Sequence, residues 1–465
     1  MSSRHGKRAV VYGLAVAGVA TARALGARGY DVVAIDDTVT PQRRATADEL
    51  GVDLVVAPDD HQLAARLRDA ELLVPAPGVP EGHRLFDVAT ATGVEVVSEI
   101  ELAYRWEQQR PGGARPMLAV TGTDGKTTTT LLAVEMLAAG GVSSVAAGNT
   151  DVPLVEALDL DVDVFVVECT SFRLAWTSRF RAAAAAWLNL APDHLNWHRS
   201  MSTYEAAKGR LFDQQAADDV AIGFVDDPVV MRHLAIAPAH RRTFGLDGAD
   251  YHVAGGDLVG PDGPLTPIAT LPRALPHDLT NALAAAALVL ETGLVTPSAV
   301  AGALTSFRNP AHRIELVGEA DGVRWYNDSK ATTPHAASVA IRAFDSVVLI
   351  AGGLNKGLDL APMAAAGERL RAVVAIGEAA PLIAGIFEGV APVTIVGSMS
   401  AAVDTAAGLA RPGDVVLLSP GCASFDWYPD GGYPARGDDF RRLVAARLSP
   451  AASPVETSPE LRSTS

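Results

Sequence analysis

The run Thr121-Gly122-Thr123-Asp124-Gly125-Lys126-Thr127-Thr128 has the residue types of a phosphate cradle. An apolar stretch, Met117–Val120, precedes it, and an Ala/Leu-rich helical pattern follows to about Ala139. A strand, a glycine turn and a helix in that order aim backbone N–H groups and the helix N-terminus at an anion. In that setting Lys126 reaches the β- and γ-phosphates of a nucleotide, and the Thr127 hydroxyl ligates Mg²⁺. ATP or GTP binding is therefore expected. The pattern departs from the common GxxxxGKT form, because Val120 stands where the first glycine belongs. The competing reading is a glycine turn that only caps a core helix.

Four further residues have types suited to the same chemistry. Glu168 follows the apolar run Val164–Val167. A carboxylate at a strand end beside a phosphate loop is a usual Mg²⁺ contact, although a solvated strand-end glutamate looks the same in sequence. Asp193 and His194 follow a buried-strand pattern and a proline turn. Lys208 lies in Tyr204-Glu-Ala-Ala-Lys208, on a helical pattern. Taken singly, such a histidine reads as a loop residue and such a lysine as solvated.

Alternating strand and helix patterns must position these groups. The chain opens with a strand (Ala9–Tyr12), a glycine turn (Gly13 to Gly18), an alanine-rich helix and a second strand (Asp31–Ile35). That is a βαβ unit. Its turn has Ala15 where GxGxxG has its middle glycine, which hinders a pyrophosphate and weakens an NAD reading. Strand signals at Leu54–Val56 and Leu72–Val74 lead to the loop Pro75-Ala-Pro-Gly78. A polar break, Glu107–Pro116, precedes the phosphate loop. Strand runs Val162–Val167 and Ala183–Leu190, a helix at Leu279–Leu290 and hairpins over Asp247–Leu271 follow. The last part repeats strands at Val347–Ile350, Ala372–Ile376, Val393–Val396 and Val415–Leu418. The expected fold class is α/β with three domains. These are a Rossmann-like N-terminal domain (1–112), a central P-loop ATPase-like domain (113–308) and a C-terminal Rossmann-like domain (309–448). A Ser/Pro-rich tail over 449–465 is expected to be disordered.

Composition narrows the function classes. At 465 residues, 49% of them hydrophobic and 20% charged, the chain is globular and too long for one core. A net charge of −16 argues against a nucleic-acid or anionic-membrane surface. It leaves anionic small molecules open, since backbone amides bind phosphate locally. Two cysteines, Cys169 and Cys422, supply no disulfide framework, so a reducing cytoplasm is the expected location. No apolar run reaches the roughly 18 residues that span a bilayer.

In combination the motifs resemble the Mur ligases, ATP-dependent amide ligases that build the peptidoglycan stem peptide. The likeness rests on the phosphate loop, Glu168-Cys-Thr-Ser-Phe, Asp193-His194-Leu and Tyr204-Glu-Ala-Ala-Lys208. It rests also on His312-Arg313, Asn327-Asp328-Ser-Lys-Ala-Thr332 and Leu418-Ser-Pro-Gly-Cys-Ala-Ser424-Phe-Asp with Arg436-Gly437, and it covers about residues 8–447. The resemblance implies ligation of D-glutamate to UDP-N-acetylmuramoyl-L-alanine through an acyl phosphate. The alternatives are an L-glutamate-adding relative, an inactive nucleotide-binding regulatory module, and an NAD-linked oxidoreductase with a fused phosphate loop.

The same resemblance implies roles for individual residues. Lys126, His194 and Lys208 are the catalytic set. ATP falls to Gly122, Thr123, Asp124, Gly125, Lys126, Thr127 and Thr128, with Asn281, Arg313 and Asp328 contacting adenine, phosphate and ribose. Two Mg²⁺ ions fall to Thr127, Glu168, His194 and Lys208, the lysine as a CO₂-derived carbamate, because a cationic ammonium does not ligate a cation. Val16, Ala17, Asp36, Gly78, Asn149 and Ser171 are the expected UDP-sugar contacts. Asp36-Asp37-Thr38 lacks the arginine common in relatives at that turn, and Arg173 stands where glutamine is usual. Thr332, Lys356, Ser424 and Tyr433 are expected to hold the incoming amino acid. Small-molecule substrates are the expected partners, with no nucleic acid, no membrane insertion and a monomeric state. Closure of the second domain on the third is expected to complete the site.

Overall fold

The computed structural model describes residues 7–448, so the Ser/Pro-rich tail lies outside the described residues. The first domain holds β1 (Arg8–Tyr12), β2 (Asp31–Asp36), β3 (Asp53–Val56), β4 (Leu72–Pro75) and β5 (Glu95–Val96). They form one parallel sheet in the order β3-β2-β1-β4-β5. The period of two divides its side chains: Val10, Val33, Ile35 and Leu73 enter one core layer, and Ala9, Val11, Val32 and Val74 the other. A sheet covered on both faces explains the near-continuous apolar strands. Gly13 (φ +93°) starts the turn after β1, and the helix Val16–Ala27 seats close against it. A Cβ on Gly18 would lie 1.9 Å from the Gly13 carbonyl oxygen. Asp36 ends β2 instead of following it.

The middle domain holds β6 (Met117–Thr121), β7 (Ser144–Gly148), β8 (Val164–Glu168), β9 (Ala184–Trp187), β10 (Val220–Phe224) and β11 (His240–Phe244). They run parallel in the order β11-β10-β9-β6-β8-β7. Helices Lys126–Ala139 and Pro276–Leu290 cover one face through Leu132, Met136, Leu283 and Leu288. Helix Met201–Asp213 covers the other through Leu211 and Phe212. The hairpin signal over Asp247–Leu271 appears as a small antiparallel sheet of β12 (His252–Ala254), β13 (Asp257–Gly260) and β14 (Gly263–Pro267).

The first and middle domains form one compact unit ending at Arg308. Ile100, Leu102 and Ala103 of the first domain share a core layer with Ala119, Phe165 and Trp187 of the middle domain. The Glu101 carboxylate, fully buried, accepts the backbone N–H groups of Ser178, Arg179 and Phe180. Arg115 closes the linker with a bidentate grip on Glu107, its Nε and Nη2 each 2.8 Å from a carboxylate oxygen.

The second unit starts at Asn309. Its strands are β15 (Glu315–Ala320), β16 (Val323–Asn327), β17 (Val347–Gly352), β18 (Leu370–Ile376), β19 (Val393–Ile395) and β20 (Val415–Leu418). The order is β15-β16-β20-β17-β18-β19, parallel except for the edge pair β15/β16. Among the described residues no helix is long and apolar enough to cross a membrane.

Candidate active site

In doubly wound sheets, ligands bind beyond the C-terminal ends of the strands. The loops after β6, β8 and β9 are neighbours there. The loop after β6 needs glycine twice, at Gly122 (φ +157°) and Gly125 (φ +84°). A Cβ on Gly125 would lie 2.5 Å from Asn281 Oδ1, so Asn281 of helix Pro276–Leu290 presses on the turn. Thr129 Oγ1 donates to the same oxygen at 3.4 Å. Thr123 and Asp124 N–H both donate to Asn189 Oδ1 at 2.9 Å. Lys126 opens a 14-residue helix that has neither an acidic residue in its first turn nor a side-chain cap. Its first amides and its dipole therefore remain available to an anion.

Lys126 and Lys208 arrive from different helices and meet at one oxygen. Lys126 Nζ donates to the Gly122 and Thr123 carbonyls at 2.8 Å. Lys208 Nζ donates to the Gly122 carbonyl at 2.7 Å. Lys208 is 1% exposed, and its amine lies 4.8 Å from the Tyr204 ring centroid. Burial, followed by the charge of Lys126, drives its pKa well down. The helix lysine that sequence alone reads as solvated is thus as deeply buried as any charge of the site.

The carboxylates are buried as well. Glu168, the last residue of β8, is 1% exposed. Its Oε1 accepts Asn149 Nδ2 at 2.8 Å, while Oε2 is buried with no partner. Asn149 in turn accepts Arg173 Nη1 at 2.9 Å, and Arg173 pairs with the buried Glu99 at 3.3 Å. Asn149 therefore stands beside Glu168. Asp193 Oδ1 accepts the His194 N–H at 2.7 Å, and its other oxygen is 3.1 Å from His194 Nε2. Burial, then Asp124, pushes Asp193 up to about 6. His194 holds a left-handed backbone (φ +56°), and its ring meets Phe172 edge-on at 4.6 Å. Among the described residues no three His, Cys, Asp or Glu side chains converge as a metal cage. The orphaned Glu168 oxygen suits Mg²⁺, which takes one or two protein carboxylates and completes its shell with phosphate and water.

The other UDP-sugar candidates lie at the first sheet's strand ends and in the loop after β8. Val16 is 76% exposed and Ala17 is buried. Asp36 Oδ2 accepts the Leu14 N–H at 2.9 Å, which fixes the glycine turn. The missing arginine has local substitutes: Arg43 pairs with Asp36 at 2.8 Å, and Arg84 stands 3.8 Å from Asp37. Gly78 is exposed in the loop after β4. Ser171 Oγ lies 2.8 Å from His198 Nε2. Burial pushes His198 down to about 4.

In the second unit, Asp328 accepts the Ile314 N–H and the Ser419 hydroxyl at 3.2 and 2.7 Å. Arg313 precedes Ile314 and is half-buried. Ser329 Oγ donates to the Tyr433 carbonyl at 2.8 Å, and the Tyr433 ring stacks 4.1 Å from Lys330 Nζ. Ser424 is buried, Thr332 is half-buried, and Lys356 is exposed, 5.8 Å from the Phe425 ring centroid. Arg436 is 1% exposed and ties the loops together. It donates to Ser329 Oγ and O at 2.9 and 2.8 Å, and to the Cys422 and Ala423 carbonyls at 3.1 and 3.2 Å. Sequence reasoning assigned no role to Asn189, Tyr204, His198 or Arg436. An asparagine just past β9 was a visible signal for Asn189; the others show only in three dimensions.

Comparison with known proteins agrees with this geometry. Residues 120–289 match the Mur ligase middle domain, and residues 312–422 match the Mur ligase, glutamate ligase domain. The chain is 43% identical over 455 residues to a UDP-N-acetylmuramoylalanine--D-glutamate ligase of Frankia casuarinae, covering 94% of each chain. It is 39% identical to the protein of the same name from Myxococcus xanthus, covering 95% of this chain and 98% of that one. Among solved structures, UDP-N-acetylmuramate-alanine ligase MurC from Thermotoga maritima shares the fold at a TM-score of 0.57 and 18% identity, covering 95% of this chain and all of that one. A MurF ligase of the same organism in complex with ADP aligns at 0.57 and 17% identity, covering 83% and 97%.

Proposed function

Because the chain belongs to the Mur ligase family, we propose that it joins D-glutamate to UDP-N-acetylmuramoyl-L-alanine at the expense of ATP, as a cytoplasmic monomer. One observation carries the chemistry. Two lysines from separate helices share the Gly122 carbonyl oxygen, in a site whose Glu168 keeps a buried oxygen unpartnered. That arrangement sets the Lys126 ammonium, a buried amine and an open carboxylate oxygen where phosphoryl and carboxyl oxygens would gather.

A carboxylate is a poor electrophile because its oxygen leaves badly. Attack of the substrate carboxylate on the γ-phosphorus expels ADP and makes an acyl phosphate. The amino group of glutamate then adds to the acyl carbon and phosphate leaves. Negative charge grows on oxygen in both steps, so fixed cations and amides lower both barriers. Lys126 and the uncapped amides of its helix bind the β- and γ-phosphates. Asn281 and Asn189 hold the loop in shape. Thr127, Glu168 and His194 would ligate Mg²⁺, which when bound supplies positive charge to the phosphoryl and carboxyl oxygens. Burial and the charge of Lys126 lower the basicity of Lys208, which favours the neutral amine. That amine adds to CO₂ and loses one proton, and the resulting carbamate is an anionic oxygen donor in place of a cation.

In this reading Val16, Ala17, Asp36, Gly78, Asn149 and Ser171 hold the UDP-sugar, with Arg43 and Arg84 near its anionic groups. Arg313 and Asp328 serve the nucleotide. Thr332, Lys356, Ser424 and Tyr433 receive the amino acid. The test is phosphate release from ATP with UDP-N-acetylmuramoyl-L-alanine and D-glutamate, L-glutamate or no amino acid. Release with D-glutamate alone is expected. Release with L-glutamate instead overturns the stereochemical assignment, and no release with either overturns the ligase reading.

A further inference from the structure

Ser171, His198 and Glu81 form a line from the middle domain into the first. The His198 side chain is fully buried. Its Nε2 lies 2.8 Å from Ser171 Oγ, and its Nδ1, which makes no hydrogen bond, stands 3.4 Å from Glu81 Oε2. Its ring packs against Phe172, Trp197 and Tyr204. Glu81 sits in the loop after β4 that also carries Gly78, and this loop is tied to the segment holding His198. Trp197 Nε1 donates to the Pro77 carbonyl at 2.8 Å, and Glu81 N–H donates to the Trp197 carbonyl at 3.0 Å. Arg199 N–H donates to Glu81 Oε2 at 3.1 Å. The chemistry derived above uses neither Glu81 nor His198.

The order of these groups fixes a direction. A carboxylate only accepts, and a neutral imidazole has one N–H. With no hydrogen bond between them, Glu81 acts on the ring by charge alone: a bare Nδ1 would set its lone pair against the nearby carboxylate, which favours the proton on Nδ1. Nε2 is then an acceptor, and Ser171 gives it the one hydrogen its hydroxyl has. The same order of acid, imidazole and hydroxyl orients the serine of hydrolytic triads. Toward the site, Ser171 Oγ then offers lone pairs only. Ser171 is 2% exposed, so water competes little for them.

We propose that Glu81 and His198 are positioning residues that make Ser171 a pure hydrogen-bond acceptor, which receives an N–H of the acceptor substrate and turns a carboxylate away. This rests on the reading of Ser171 as a substrate contact. The substrate class it selects is an N-acyl amino acid, whose amide N–H lies one carbon from the carboxylate to be activated. An ester analogue with oxygen in place of that N–H sets lone pair against lone pair.

The test compares UDP-N-acetylmuramoyl-L-alanine with its L-lactate ester counterpart in the wild-type, S171A, H198F and E81A proteins. Phenylalanine keeps the ring packing of His198 and removes both nitrogens. The wild type is expected to show a KM for the ester about 10-fold above that for the amide, as for the loss of one hydrogen bond. In S171A and H198F the ratio is expected to fall toward 1, and in E81A to fall part of the way. A merely structural His198 would change both substrates alike, and an unchanged ratio overturns the proposal. Equal KM values in the wild type overturn it too. Should H198F not fold, E81A at the more exposed end of the line reads the same ratio. Absence of any amide ligation by the wild type defeats the ligase reading itself, whereas ligation with an unmoved ratio defeats only the positioning role.

Discussion

The middle-domain site and the second-unit site treat charge in opposite ways. Around the phosphate loop, Lys208, Glu168 and Asp193 are buried: backbone groups hold Lys208 and Asp193, while Glu168 has one oxygen on the Asn149 amide and the other unpartnered. In the second unit, the buried cation at the site is Arg436, whose donors go to serine and carbonyl oxygens of the unit's own loops. The cation expected to meet ligand there, Lys356, is exposed. Burial strengthens a charge toward a developing transition state and costs stability until it is matched. Exposure avoids the cost and gives a modest grip. Substitutions in the first region should therefore strike kcat and often stabilise the fold, and those in the second should strike KM.

The largest effect is expected at Lys126. Lys126→Ala removes the phosphate-facing ammonium and little packing. We expect kcat to fall by about 10³-fold or more, roughly 4 kcal/mol, with the thermal midpoint nearly unchanged. Phosphate release and a melting curve measure the two. Undiminished turnover would remove the phosphate loop from the chemistry.

Lys208 sharpens the contrast. Lys208→Met keeps length and apolar volume, and the Gly122 carbonyl retains Lys126 as a donor. We expect activity to drop by at least about 10²-fold while stability rises by about 1–3 kcal/mol, because an unmatched buried amine is replaced by a hydrophobe. Rigorous CO₂ removal should slow the unmodified enzyme, and bicarbonate should restore it. A destabilised methionine variant, or full activity without CO₂, would contradict this account of the site.

The same contrast explains what the sequence could disclose. The phosphate loop was legible because its chemistry is local: Gly122, Gly125, Lys126 and Thr127 lie within six residues, and the flanking apolar periods announce strand and helix. The central strands of each sheet and the antiparallel hairpins over 247–271 were legible for the same reason, whereas β5, β7, β10, β11, β15 and β16 carried no such signal. Convergence was not legible. Asn281 touches the loop from about 150 residues away, and the Lys208 amine meets the Gly122 carbonyl from 86 positions further on. Nothing in the spacing of Tyr204 to Lys208 distinguishes a buried amine from a solvated one. The fusion of the first two domains into one unit was hidden too, because it depends on Glu99 and Glu101 finding partners 74 to 79 residues later. Arg173, where glutamine is usual in relatives, pairs in the fold with the buried Glu99.

Lys356 tests the exposed side of the comparison. Lys356→Ala should raise the KM for glutamate about 10-fold and change kcat by less than a factor of about three, since a solvent-exposed pairing is worth on the order of 1 kcal/mol. Steady-state kinetics with glutamate varied decide it. A collapse of kcat at constant KM would mean that this lysine acts on the transition state like those of the middle domain.

The smallest effect is a pH dependence of stability at Asp193. Its carboxyl is pushed from the ordinary 3.8 up to about 6, first by burial and then by Asp124. The folded chain therefore binds this proton more tightly than the unfolded chain does. Stability is favoured while the group is protonated in both states, declines as pH rises from about 4 through about 6, and carries the full penalty at pH 7. Asparagine keeps an oxygen for the His194 N–H and cannot ionise. Asp193→Asn should thus match the wild type near pH 4 and exceed it above pH 6 by about 1–3 kcal/mol in the ligand-free protein. Its His194 would lose the carboxylate that holds its ring, so activity should fall as stability rises. Chemical denaturation at pH 4 and pH 7.5 gives the difference. Equal curves for the two proteins at both pH values would mean that the buried acid is already matched, and that the middle-domain site is less strained than the comparison holds.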